Sequence, residues 1–182
     1  MLEHRANVYT EAVAVPLVVA GPGRLPAGSI IETPVELRDL HATLLELSGI
    51  EQSPPGSLLR IVEGAEREAP ISADAWPVER WASALGGRFS EIWHLYRVGD
   101  DALVWSESGQ SELYDLAEDP GMGRDLAPSQ PEKRDRLLSE ARAHWLALPE
   151  AEPRTASISD ETRAELEALG YHGGDDARGR TR

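Results

Sequence analysis

The sequence predicts an α/β segment followed by a small α+β unit in which a helix packs on an antiparallel sheet. Three observations predict it. A Val-rich apolar run near the start is closed by Gly and Pro, four short β-type runs lie between residues 69 and 116, and an apolar stripe at helical spacing runs from Leu137 to Leu148. The 182 residues are 41% hydrophobic and 27% charged, which supplies a core and excludes a wholly disordered chain. No apolar stretch approaches the ~20 residues that span a bilayer as a helix.

The first element is Ala12-Val13-Ala14-Val15-Pro16-Leu17-Val18-Val19-Ala20, followed by Gly21-Pro22-Gly23. A short Val-rich run bounded in this way reads as a buried strand, covered on both faces in a mostly parallel sheet. A cleaved export signal is disfavoured by its flank, where Glu3 and Glu11 outnumber Arg5 and a basic n-region is required. No compartment is assigned. After turns at Gly21-Pro22-Gly23 and Pro26-Ala27-Gly28, Ile30 to Val35 reads as a short extended piece interrupted by Pro34. Leu37, Leu40, Leu44 and Leu47 then recur at helical spacing, with Gly49 where a left-handed C-terminal cap belongs.

Ser53-Pro54-Pro55-Gly56 is a loop, and the stretch from Glu63 to Glu68 marks a boundary between two units. Beyond it, residues 69–73, 92–98, 102–106 and 112–116 read as strands. Gly99-Asp100-Asp101 and Ser108-Gly109-Gln110 are tight connections that imply antiparallel neighbours. Asp119-Pro120-Gly121 ends the sheet. The helix from Pro131 to Leu148 carries Leu137, Leu138, Ala141, Trp145 and Leu148 on a stripe that covers one sheet face. Ser159 to Thr162 has the capping chemistry to start a last helix through Leu166 and Leu169, closed by Gly170, and the polar tail 173–182 reads as disordered.

Composition narrows the function. The absence of cysteine excludes a disulfide framework, a thiolate metal site and a cysteine nucleophile. A net charge of −14 with dispersed bases argues against nucleic acid and acidic membranes, since either partner requires clustered Lys and Arg.

Most chemistry-bearing residues have a plainer explanation. Asp39 and His41 lie two positions apart on a helix, which turns their side chains about 200° from one another and prevents a shared ion. Asp100-Asp101 is turn chemistry. Ser129-Gln130-Pro131-Glu132-Lys133 imitates a nucleophile motif, but a capping Ser and a first-turn Pro account for it. His94, in a strand beside Trp93 and Tyr96, reads as structural. His144 and His172 have no companion of ligand type at a persuasive spacing. His4 differs, because it sits directly before a buried strand, a common place for site residues in α/β proteins.

Several segments, in order, resemble the sulfatase family of the alkaline phosphatase superfamily. Tyr9 to Gly23 is similar to its Tyr-x-Glu-x-x-x-Val-Pro-Leu segment with Gly-Pro-Gly, and Thr33 to Ile50 to the helix that begins at Val-x-Leu-x-Asp-Leu and closes on Gly. Gly56-Ser57-Leu58-Leu59, Glu112-Leu113-Tyr114-Asp115-Leu116 with Glu118-Asp119-Pro120, and Leu166 to Tyr171 follow in the same order. The resemblance implies the C-terminal portion of a sulfatase-like protein. Residues 1–62 would be the end of an alkaline-phosphatase-like α/β domain, 66–150 a small subdomain of antiparallel sheet plus helix, 151–172 a C-terminal helix and 173–182 a tail.

The family's nucleophile arises from a Cys/Ser-x-Pro-x-Arg motif converted to formylglycine, and its calcium-type cation sits on aspartates with an Asn or His. Neither set has a counterpart in this chain, so the resemblance implies a truncated or split enzyme without metal or cofactor residues of its own. His4, five residues before Tyr9, matches the position of a family histidine that contacts sulfate, and is the one candidate catalytic residue. The implied partners are an N-terminal catalytic segment or chain and, in the complete enzyme, a sulfate ester of a small molecule or glycan. Two other readings stand beside it: a non-catalytic acidic binding or scaffold module, and a phosphate or phosphonate ester hydrolase of the same superfamily.

Overall fold

The computed structural model describes residues 7–21, 23–50, 56–67, 69–77, 82–84, 86–148 and positions 159, 162, 165, 166 and 168. The chain divides into two compact units, Met1–Ala147 and Leu148–Arg182.

The first unit is organised by a four-stranded antiparallel sheet: β1 Ile71–Ala75, β2 Trp93–Val98, β3 Asp101–Ser106 and β4 Ser111–Asp115, in that spatial order. Each strand lies within two residues of its expected span. Val98 pairs with Asp101 across a two-residue connection whose Gly99 has φ +59°, the left-handed value a tight hairpin asks of its first position. The next turn closes through Ser106, whose carbonyl accepts from the Gly109 N–H at 3.1 Å and whose N–H donates to the Gln110 carbonyl at 3.0 Å.

Alternation along the strands sorts side chains into two cores. Trp93, Leu95, Ala102, Val104 and Tyr114 face one way, with Val8 and Met122 packed on them. Tyr96, Leu103, Trp105 and Leu113 face the other way, against a long helix. That helix, α4 (Pro131–Ala147), follows α1 (Thr10–Val13), α2 (Asp39–Leu47) and α3 (Leu59–Val62) in the chain. It opens on Pro131 as expected, because a fixed φ and a missing N–H cost nothing in a first turn. Leu137 and Ala141, one turn apart, are its buried contacts with the sheet.

The N-terminal part departs from expectation. Residues 14–20 form no strand, and Val15 and Val18 are 57% and 92% exposed rather than buried. The physical reason is a missing ladder: among the described residues no strand pairs with this run, so a run written for a sheet interior stands open. Ile30, 90% exposed, shares this condition.

Helix α2 begins at Asp39, two residues later than the leucine pattern suggests, and ends as predicted. Gly49 has φ +76°, its N–H donates to the Glu46 carbonyl at 3.0 Å, and the Ile50 N–H reaches the Leu45 carbonyl at 3.1 Å, the two bonds of a Schellman cap. Its buried face is Asp39, Ala42 and Thr43, while Leu37 and Leu44 face outward. The inward face is fixed by polar ties. Thr43 Oγ1 donates to the Asp39 carbonyl at 2.7 Å and accepts the Leu58 N–H at 2.8 Å.

In the second unit, the Thr162 N–H donates to Ser159 Oγ at 3.1 Å, the capping bond anticipated for a last helix, and positions 162, 165, 166 and 168 are helical. Leu169, Gly170 and the tail lie outside the described residues.

Candidate functional site

Among the described residues of the first unit, three clusters of titratable side chains are built around buried or half-buried carboxylates. The first is built on β4, where Glu112 and Tyr114 project from the same sheet face two residues apart. Glu112 Oε2 accepts the Tyr9 hydroxyl at 2.6 Å and the Tyr114 hydroxyl at 2.8 Å, and Oε1 lies 3.2 Å from Arg88 Nη2. The Arg88 guanidinium lies over the Trp93 ring at 4.0 Å and the Tyr9 ring at 4.9 Å, and the Arg88 carbonyl accepts the Trp93 indole N–H at 2.8 Å. Burial, then the hydrogen bond to Glu112 and its charge, push both phenols well above the ordinary tyrosine range. Near neutral pH they are donors to a carboxylate and not bases. The cluster pins the segment that begins at Asn7 to the sheet, with Asn7 Oδ1 accepting the Tyr9 N–H at 3.0 Å.

The second cluster joins α2 to β1. Arg67 pairs through Nη2 with Glu36 Oε2 at 2.6 Å and through Nη1 with Asp39 Oδ2, and Arg38 Nε shares Glu36 Oε2 at 2.6 Å. Glu36 Oε1 accepts the Ser72 N–H at 2.8 Å, and Asp39 Oδ2 accepts the Glu36 N–H at 3.0 Å. Gly56, at φ +103°, approaches so closely that a Cβ there would sit 3.3 Å from Asp39 Oδ1. Both carboxylates are buried and held by cations and amides, so neither has a proton-transfer or metal-binding role. His41 is exposed on the other side of the helix, as its spacing from Asp39 predicted.

The third cluster crosses the sheet in one row: Asp74 on β1, His94 on β2 and Trp105 on β3. His94 Nδ1 lies 2.8 Å from Asp74 Oδ1, and the ring is stacked on Trp105 at 4.2 Å with the edge of Trp145 at 4.6 Å. Its Nε2 is buried with no hydrogen-bond partner among the described residues. An imidazole enclosed between indoles reaches no substrate, which agrees with the structural reading of this histidine. His144, beside Tyr96 at 5.7 Å, is pushed below the usual histidine range by burial and then by the Arg38 charge, with Glu36 opposing.

The remaining candidates are dispersed. His4 and His172 lie outside the described residues. Asp100 is exposed and 3.7 Å from Arg97 Nη2, whereas Asp101 pairs with Lys133, so the two carboxylates do not act together. Ser129 Oγ donates to the Leu126 carbonyl at 3.0 Å, a turn contact just before α4 and no nucleophile. Among the described residues, no group of three or more His, Asp or Glu is arranged to hold a metal ion. The described residues therefore offer no ligand set for a calcium-type cation.

Sequence reasoning passed over Glu112, Arg88, Glu36 and Arg67. One signal was available for Glu112: a carboxylate at an inward strand position, two residues from Tyr114, requires a partner. Alongside the polar clusters lies an open apolar groove of about 680 Å³, lined among others by Val15, Leu17, Val19, Ile31, Leu58 and Met122.

No family profile matches the chain. A sulfatase of Formosa agariphila is 26% identical to it over 166 residues, covering 88% of this chain and 31% of that protein. Arylsulfatase K of Xenopus laevis is 27% identical over 153 residues, covering 78% and 28%. The chain is a relative of the sulfatases. This sulfatase relative thus spans less than a third of the length of those two proteins. Among solved structures, the phosphonate monoester hydrolase of Agrobacterium radiobacter superposes with a TM-score of 0.42 at 20% identity, over 58% of this chain and 24% of that one.

Proposed function

We propose that this chain is the C-terminal part of a sulfatase-like hydrolase whose complete form cleaves sulfate esters. The observation that carries the reading is the similarity to a sulfatase across 88% of the chain. In this reading residues 1–62 close the large α/β domain, 66–150 form the small subdomain, 151–172 are a C-terminal helix and 173–182 a tail. His4 presents a hydrogen-bond donor or cation to the ester oxygens as charge shifts in the transition state. The polar clusters of the described residues hold the scaffold: their carboxylates are bonded to arginines, hydroxyls, backbone amides or an enclosed imidazole, and they leave no nucleophile beside a free base.

The energetics favour an inactive isolated chain. One positioned donor is worth roughly 2.7–4 kcal/mol of barrier lowering, whereas enzymatic accelerations begin near ~8 kcal/mol. Purified protein supplied with an aryl sulfate and calcium is expected to show no turnover above the uncatalysed rate; clear turnover overturns the proposal. The positive arm is a chimera in which this chain replaces the matched segment of the Formosa agariphila sulfatase. It is expected to hydrolyse the ester, and H4A in the chimera to lower kcat by about 10²–10³, the usual loss for one donor.

A further inference from the structure

Two arginines line one small cleft and differ in what they hold. The cleft, of about 190 Å³, lies at the end of the sheet where Ile71 pairs with Arg97, and Thr33, Arg67, Arg97 and the exposed Glu66 stand around it. Arg67 is saturated: Nε donates to the Ala69 carbonyl at 3.0 Å, while Nη1 and Nη2 hold Asp39 and Glu36. Arg97 is not. Its Nε donates to the Gly99 carbonyl at 2.7 Å, but its one carboxylate neighbour among the described residues, the largely exposed Asp100, stands 3.7 Å from Nη2, beyond a hydrogen bond. The outer fork of the guanidinium thus meets no acceptor among the described residues, although the side chain is only 24% exposed. Burial pushes this group below the usual arginine range, with the Asp100 charge opposing. An arginine does not give up its proton in a protein, so the relief open to a half-buried cation of this kind is an anion.

We propose that Arg97 and Thr33 form a binding site for a small tetrahedral oxyanion, sulfate or phosphate. The planar fork donates two parallel bonds to two oxygens of such an ion. A carboxylate is used up by the fork. A tetrahedral ion keeps further oxygens, and the other walls offer donors for them: the half-buried Thr33 hydroxyl, which makes no hydrogen bond among the described residues, and the N–H groups of Arg67 that its three bonds leave over. The volume, room for about six waters at ~30 Å³ each, suits a bare ion or one terminal ester group and is too small for a nucleotide. Glu66 opposes an anion, yet it pairs with neither arginine among the described residues and faces solvent, where its charge is screened.

The test titrates the isotope-labelled full chain with sodium sulfate and, separately, with sodium phosphate, against sodium chloride at matched ionic strength, followed by two-dimensional NMR. Saturable shifts are expected at the Arg97 Nε–H and at the Thr33 and Gly99 amides with at least one of the two oxyanions and not with chloride; the ion that binds more tightly names the ligand. R97Q is expected to weaken binding about tenfold or more, the usual loss for bonds to a charged partner. R97K keeps the charge but loses the fork, and is expected to weaken it by roughly threefold to tenfold. Because Arg97 packs on β2, T33V, at a bend outside the sheet, carries the test if the Arg97 variants unfold; it is expected to weaken binding roughly fivefold. Shifts that follow ionic strength alone, saturation centred on other residues, or an affinity indifferent to both R97K and T33V each overturn the site. Acetate binding as tightly as the preferred oxyanion overturns its tetrahedral character. No ester is cleaved in these titrations, so their failure leaves the sulfatase reading standing, and a silent chimera leaves the anion site standing.

Discussion

Arg67 shows how much one side chain holds together. Its guanidinium satisfies two buried carboxylates, Glu36 and Asp39, and Glu36 in turn bonds the Ser72 amide at the start of the sheet. Removing the cation leaves Glu36 with Arg38 alone as its cation and takes from Asp39 its ion pair with Arg67, and breaking a buried pair in this way costs about 3–5 kcal/mol. R67A is expected to lower the urea midpoint accordingly at unchanged m; a loss under 1 kcal/mol means that water already reaches the cluster. His144 makes a pH-dependent contribution whose sign follows from its environment. Its folded-state pKa lies below the ordinary value of 6.5, so the native state favours the neutral ring. The associated stability is fully present above that value and is lost as pH falls through it. H144Q is expected to flatten the decline in stability between about pH 7.5 and 5.5 relative to the parent, as read by thermal melts across that range. An unchanged slope removes His144 as a contributor.

Elements differ in how legible they were. The sheet, its turns and α4 depend on local patterns: period-two alternation, glycine where φ must be positive, and proline in a first turn. All of these are written in neighbouring residues. Helix α2 was legible at its end and not in its orientation, because the leucine spacing names an apolar stripe without saying what meets it. Here the buried face is chosen by Asp39 and Thr43, whose partners Arg67 and Leu58 lie 28 and 15 residues away. Glu112 and Tyr9, 103 residues apart, were unreadable as a pair for the same reason. The Val15–Ala20 run was read as a buried strand and is neither strand nor buried among the described residues, since pairing and burial both belong to the neighbours. The cap of α2 gives this scale its test. Gly49 at φ +76° has open space around a notional Cβ, so G49A isolates the backbone term from any clash. Forcing an L-residue into the left-handed region costs roughly 1–2 kcal/mol, and equilibrium unfolding of G49A is expected to show that loss. No loss would mean that the cap frays in solution.

At the scale of the whole molecule, two opposing forces act on the same surface. The net charge of −14 repels copies from one another, while Val18 and Ile30, each at least 90% exposed, draw apolar surfaces together. Salt weakens only the first: the Debye length falls from about 30 Å at 0.01 M to about 8 Å at 0.15 M, whereas apolar attraction does not depend on screening. The isolated chain is therefore expected to bind a hydrophobic dye such as ANS at low salt and to associate without a fixed stoichiometry as salt rises, with V18D reducing both signals. Light scattering and dye fluorescence across a salt series read the balance directly. A chain that stays monomeric and dark to the dye up to 0.5 M salt, with one cooperative melt, would have its Val-rich run covered from within. The non-catalytic module would then explain the fold better than a part awaiting its sheet, because a self-sufficient domain leaves no two-faced apolar strand in water.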